Sequence, residues 1–365
     1  MFKPNTVFIV GAGASVDFGF PVGRALKTEI SNLFHRSKNS SIGRSLIDVE
    51  FSKFLEEYCA IVAPHLKIRN LFSLNSEILE ACQRIRSGLP FAPSIDNFIK
   101  NRNDDLLIVA CAKAAIAWKI FSYERVAAAR LAAGIDPHGR RIDIADVKLD
   151  GTWHQIFCEQ LFTATTKVEI QEALSRVKII SFNYDRCIEQ ILRIALMGTF
   201  SLSEHEASIL ANQVEVLHPY GDLGPLAYDN SSTPVSYGAF NERYDQGTVE
   251  QFLVACRSIK SFYEEPNLKE RITATIDASD TLVFLGFGYH SQNLNLLTPS
   301  IRDKRRKLIG TAMNMEPMTV GTIRQNLSNM FDVINPNVGR QEIEIHLKTA
   351  NCYSLMDEIQ PVLQG

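Results

Sequence analysis

The sequence predicts an α/β fold in which a mostly parallel sheet is interrupted by a large helical insertion. Three observations support this. Residues 7–10, Val-Phe-Ile-Val, form the unbroken apolar run expected of a strand buried on both faces, and the run stops at Gly11-Ala12-Gly13. Similar runs ending in polar or glycine residues return at 177–182, 214–217, 280–285 and 307–312. Between the first run and the second, apolar residues recur only at helical spacing. The expected organisation is a Rossmann-like domain assembled from residues 1–37 and 171–365, with a helical insertion module over 38–170.

After the first strand, Val22, Leu26, Ile30, Leu33 and Phe34 recur at helical spacing. The glycine turn is therefore expected to feed a helix N-terminus, whose free N–H groups suit a pyrophosphate. The spacing departs from a G-x-G-x-x-G fingerprint, which would place glycine at Val16, whereas the next glycine is Gly19. Helical periodicity continues through Phe51, Phe54, Leu55 and Tyr58, then through Leu74, Ile78, Leu79, Cys82 and Ile85, with breaks at Pro64 and Gly88-Leu89-Pro90. Ser94 reads as the N-cap of a short helix over 94–99, in which Asp96 is an ordinary first-turn acid. The longest helix is expected over 106–133, opened by Asp104-Asp105 and ended by Gly134. A polar hairpin-like stretch at 137–146 and helices at 152–162 and 168–174 follow.

Polar residues end each later strand. Asn183-Tyr184-Asp185 follow the run at 177–182, at the strand end where open α/β sheets take ligands. The competing reading is an Asn–Asp pair capping the helix that begins near Arg186. The next strand is expected to extend from 214 to 224, which would put His218 and Tyr220 on one face because side chains alternate. An imidazole suits a base near neutral pH, so His218 is the candidate base and Tyr220 its competitor. Gly286-Phe287-Gly288 close another strand and permit near backbone approach to a ligand. Thr311 ends the strand after that, placed for a ribose or adenine contact. A helix at 319–330, a strand at 342–347 and a helix from 354 complete the chain.

Composition sets bounds on partners. The 365 residues are 45% hydrophobic and 22% charged, as in a globular protein. A net charge of -3 offers no global attraction to nucleic acid or anionic lipid, and the basic run at 302–307 reads as a solvated face. Residues 1–6 carry no cleavable signal pattern. The longest apolar candidate, 106–133, is interrupted by Lys113, Lys119, Glu124, Arg125 and Arg130, so no membrane span and a cytoplasmic location are expected. The seven cysteines, Cys59, Cys82, Cys111, Cys158, Cys187, Cys256 and Cys352, are scattered with no C-x-x-C pair, and no structural zinc is expected.

Several of these motifs carry a family resemblance. Gly11-Ala12-Gly13-Ala14-Ser15, Gly19-Phe20-Pro21 and Arg24 resemble the sirtuin signature without a gap, although Val22-Gly23 stand where deacylating sirtuins have Asp-Phe before the arginine. Asn183 and Asp185 resemble the sirtuin Asn-x-Asp motif. Leu217-His218-Pro219-Tyr220-Gly221 stands where sirtuins carry Leu-His-Gly-Ser-Leu, with the histidine directly before glycine as base. Gly286-Phe287-Gly288 is similar to their Gly-Thr-Ser. The resemblance implies an NAD-binding α/β domain in which NAD is the substrate. Asn183 would then hold the nicotinamide ribose and an attacking water, Asp185 would meet the carboxamide region, and residues 286–288 would receive the adenosine half. Without a zinc ribbon and with a helical insertion, the chain resembles bacterial NAD-depleting effectors of antiphage defence. Those imply a homo-oligomer, a possible ATPase or nuclease partner, and release of nicotinamide and ADP-ribose. A non-catalytic NAD or ADP-ribose sensor, a deacylase and an ADP-ribosyltransferase are the alternatives.

Overall fold

The computed structural model describes residues 1–36, 46–65, 74–131, 147–163, 166–226, 229, 233–260, 266–302, 304–335, 339–341 and 343–364. The expected domain boundary at 37/38 and the polar stretch at 137–146 lie outside them. The strands are β1 (Thr6–Val10), β2 (Val177–Ser181), β3 (Glu215–Leu217), β4 (Thr281–Leu285), β5 (Lys307–Thr311), the antiparallel ribbon of β6 (Val333–Asn335) and β7 (Gly339–Gln341), and β8 (Glu344–Lys348). Between β1 and β2 come α1 (Gly23–Leu33), α2 (Val49–Val62), α3 (Ser76–Gly88), α4 (Ile95–Lys100), α5 (Leu106–Arg130), α6 (Trp153–Leu161) and α7 (Lys167–Ser175). The rest are α8 (Cys187–Phe200), α9 (Glu204–Ala211), α10 (Gln246–Ser258), α11 (Pro266–Ala278), α12 (Ser291–Leu296), α13 (Pro317–Phe331) and α14 (Cys352–Leu363).

Six strands form one sheet in the order β3-β2-β1-β4-β5-β8, and every pairing is parallel. β1 is central and all five of its residues are buried, with Phe8 opposite Ile179 on one side and Val283 on the other. The strand order runs outward in both directions from β1, so the chain reverses its winding there. The crevice beyond the strand C-termini at such a reversal is where open sheets bind ligands. The Rossmann-like, mostly parallel sheet expected from the apolar runs is therefore present.

The helical stretch between β1 and β2 is built on α5. Asp105 caps it, accepting the Ile108 N–H at 3.0 Å, and Ala110, Ala112, Ala114, Ala115 and Ala117 are buried where α1, α2, α3, α4 and α10 pack on it. Small side chains let those helices come close. By length and composition α5 could cross a bilayer, contrary to the expectation that its charges rule this out. Within the fold, 67% of its most apolar window is buried. Those charges are partly internal, since Lys113 and Glu124 are themselves buried. α6 packs on α14, and Trp153 Nε1 donates to the Ala14 carbonyl at 2.8 Å, so the helices and the sheet share one hydrophobic core.

The basic run at 302–307 is not wholly a solvated face. Arg306 is buried, with its guanidinium donating to the carbonyls of Ile276, Asp277 and Ile301, so it closes the C-terminal end of α11. Lys304 pairs with Asp280, and Lys307 with Glu344. All seven cysteines are free and buried, with Cys59 and Cys111 bringing their sulfurs within 3.8 Å across α2 and α5. Among the described residues, no group of three or more His, Cys, Asp or Glu side chains could hold a metal ion.

Candidate functional site

Because β4, β1, β2 and β3 are adjacent and parallel, the segments after each of them meet at one edge of the sheet. The turn after β1 does not pass straight into a helix. Two short 3-10 turns, Ala12–Ala14 and Val16–Phe18, intervene, and α1 begins only at Gly23 with an uncapped N-terminus at exposed Val22. The glycines are explained by a close approach between loops. Gly11 N–H donates to Leu285 O at 2.9 Å and Gly13 N–H to Gly286 O at 3.0 Å. A Cβ on Gly11 would sit 2.7 Å from the Gly286 carbonyl oxygen, and one on Gly13 would sit 2.8 Å from Gly286 Cα. Gly286 takes φ +57°, a left-handed conformation open to glycine. The space gained by omitting these side chains is therefore filled by protein backbone, while Ala12 and Gly13 stay partly exposed on the outer side.

A three-residue network fastens this loop to the end of β2. Ser15 Oγ donates to Asp185 Oδ2 at 2.8 Å, and Asn183 Nδ2 donates to Ser15 Oγ at 2.9 Å and to the Gly11 carbonyl at 3.2 Å. Asp185 also accepts Cys187 N–H at 3.2 Å at the start of α8, the capping use that the sequence offered for this pair. Burial pushes the Asp185 carboxyl up, against the hydrogen bonds from Ser15 and Cys187. Gly11 O and Ser15 Oγ together fix which end of the Asn183 amide carries the NH2 group, because Ser15 has given its own proton to Asp185. Asn183 Oδ1 is left buried with no hydrogen-bond partner among the described residues, an acceptor held in place and unused.

The expected strand at 214–224 stops at Leu217. Pro219 follows His218, Gly221 N–H closes a turn onto His218 O at 3.0 Å, and Gly221 sits at φ +70°. Strand alternation therefore ends before His218, and His218 and Tyr220 diverge. His218 Nε2 meets Glu189 at 2.8 Å and Nδ1 meets the Asn183 carbonyl at 3.0 Å, so both ring nitrogens are taken. Burial alone would lower its pKa. The Glu189 carboxylate, its hydrogen bond and Asp222 outweigh burial and raise the pKa to about 9, leaving an imidazolium at neutral pH rather than a base. Tyr220 OH donates to Asn293 Oδ1 at 2.7 Å and accepts from Gln292 Nε2 at 2.9 Å, so the phenol is engaged by two amides.

The His218–Glu189 pair makes stability depend on pH. The folded pKa lies above the ordinary 6.5, so with Glu189 ionised the contribution is complete below about pH 6.5 and is lost as pH rises through about 9. That span corresponds to at most about 3 kcal/mol. Denaturation midpoints of the wild type should fall between pH 7 and 9.5, and His218→Gln should flatten the fall.

The remaining candidates divide between structure and site edge. Thr311 is buried, with Oγ1 accepting Gly286 N–H at 2.9 Å and donating to Phe284 O at 3.4 Å, so its hydroxyl locks the turn after β4 instead of facing a ribose. Phe287 is buried against Phe182, with ring centroids 5.1 Å apart, and also against Phe284 and Tyr289. Phe20 packs on Tyr123 of α5, Pro21 is half-buried, and Arg24 is exposed on the first turn of α1. Gly288 is exposed, with the His290 ring beside it.

The short helix α4 and the start of α12 add further residues to this edge. Ser94 caps α4 as expected, accepting Asn97 N–H at 3.0 Å, but Asp96 is more than a first-turn acid. Its carboxylate receives the Tyr184 hydroxyl, and burial pushes the carboxyl up against that bond. Asn97 Nδ2 donates to Gln292 Oε1 at 3.1 Å, extending a chain of neutral groups through Gln292 and Tyr220 to Asn293. The signal available in the sequence was polar Gln292-Asn293 opening a helix just after a glycine-ended strand.

No curated protein matches the chain. A crystal structure described as a SIR2 homolog–NAD complex aligns over 98% of this chain and 88% of that one, at 13% identity and a TM-score of 0.38, a likeness too loose to bear on the site. Residues 177–315, from β2 to the turn after β5, match the family model of the SIR2-like domain.

Proposed function

We propose that this protein binds NAD+ at the C-terminal edge of the sheet and hydrolyses the nicotinamide–ribose bond, giving nicotinamide and ADP-ribose. The observation that supports this most is the buried, unpartnered Asn183 Oδ1, held still by Gly11 O and Ser15 Oγ. An unmet buried acceptor is costly, and a ribose hydroxyl or the attacking water supplies the missing donor. Ala12 and Gly13 offer partly exposed backbone for the pyrophosphate. Breaking the glycosidic bond develops positive charge on the ribose, which a positioned water quenches. Purified protein incubated with NAD+ should release nicotinamide and ADP-ribose in equal amounts, read by chromatography.

A second reading has its own support. His218 is protonated and doubly bonded, and Tyr220 lies between two amides, so neither is free to take a proton. That favours a non-catalytic NAD or ADP-ribose sensor, which would show binding by calorimetry with the dinucleotide intact after long incubation. The cellular role that goes with hydrolysis is depletion of NAD in bacterial antiphage defence by a cytoplasmic homo-oligomer, with an ATPase or nuclease partner. That role rests on the sirtuin-like motifs at 11–15, 19–24 and 183–185.

A further inference from the structure

Acidic side chains near the strand ends are mostly committed. Asp185 serves Ser15 and Cys187 N–H, Glu189 pairs with His218, and Asp222 accepts Gly224 N–H at 2.6 Å. Asp96 differs from these. It receives the Tyr184 hydroxyl, and the basic group facing it is the exposed His290, with no lysine or arginine paired to it among the described residues. From its chain neighbour Asn97, neutral groups continue through Gln292 and Tyr220 to Asn293, with Phe182 6.0 Å from the Tyr220 ring. A desolvated carboxylate beside the Tyr184 ring, with no lysine or arginine paired to it, is a receptor for a flat organic cation.

We propose that Asp96 recognises the cationic pyridinium ring of NAD+ and selects it over the uncharged dihydropyridine of NADH. This rests on the NAD+ site proposed above, though not on hydrolysis. The dinucleotide carries one cation and two phosphates. A carboxylate at this end attracts the ring and repels the pyrophosphate, and so also orients the molecule with its phosphates toward Ala12 and Gly13.

The test uses the full chain at pH 8 and three probes: NADH, ADP-ribose and carba-NAD+, a carbocyclic analogue that keeps the pyridinium and resists cleavage. Calorimetry should show wild type binding carba-NAD+ about tenfold more tightly than NADH. Asp96→Asn keeps an acceptor for Tyr184, and it should bring the ratio near one without weakening ADP-ribose binding. An unaltered ratio in that variant, or no preference in wild type, overturns the proposal. Should Asp96→Asn not fold, Tyr184→Phe removes the hydroxyl that competes for the carboxylate and should widen the preference; an equal or smaller preference overturns it. Intact NAD+ after long incubation, with selectivity retained, would sink hydrolysis alone, whereas failure of wild type to bind all three probes would remove both.

Discussion

Glu124→Ala should cost the fold about 3–5 kcal/mol, the penalty of breaking a buried ion pair on one side. Glu124 and Arg186 are both essentially inaccessible, and they meet by Nε at 3.0 Å and Nη2 at 2.6 Å, with the Arg186 backbone N–H adding a third bond at 3.2 Å. Arg186 Nη1 also holds the carbonyls of Gly224 and Val235, at 3.0 and 2.8 Å. Removing the carboxylate leaves a guanidinium that carbonyls solvate but cannot neutralise. Chemical denaturation should show the loss, and a Glu124→Leu, Arg186→Met double variant should recover much of it, because the buried charge leaves with its partner. The pair ties α5 to a position three residues beyond Asn183, so the single variant should also weaken any ligand held there.

Gly286→Ala should be nearly as damaging, on the order of 3 kcal/mol, from left-handed backbone strain together with a clash that cannot relax. A Cβ there would run into the backbone nitrogen of Ala14 and the Gly13 backbone, and neither can move without breaking the Gly13 N–H bond to Gly286 O. The loop carrying Ser15 would be pushed from Asn183, so nucleotide binding should fall more steeply than stability. Thermal denaturation and ADP-ribose calorimetry on the same sample separate the two effects.

The parallel sheet was legible because β1, β2 and β4 are apolar runs enclosed on both faces, which few other environments explain. Asn183 and Asp185 stood out because they are polar residues directly after such a run, at the strand ends where open α/β sheets take ligands. What the chain order hides is pairing across long separations. Glu124 looked like an interruption in an apolar helix until Arg186 met it, and Arg306 looked solvated until the end of α11 closed around it. Alternation along a strand misplaced His218, since Pro219 and Gly221 turn the chain before the face it would share with Tyr220 exists. The glycines at 11 and 13 read as a turn feeding a helix N-terminus, and the structure uses them for close approach between loops. Their neighbour is another loop, which no single stretch of sequence reveals.

The most direct measurement is NAD+ consumption by wild type and Asn183→Ala, prepared side by side and matched for thermal stability. Wild type should release nicotinamide and ADP-ribose, and the variant should lose that turnover by about a hundredfold or more, since the water and the ribose would have no acceptor in place of Oδ1. Equal turnover by a folded Asn183→Ala protein would contradict the assignment of chemistry to this edge of the sheet.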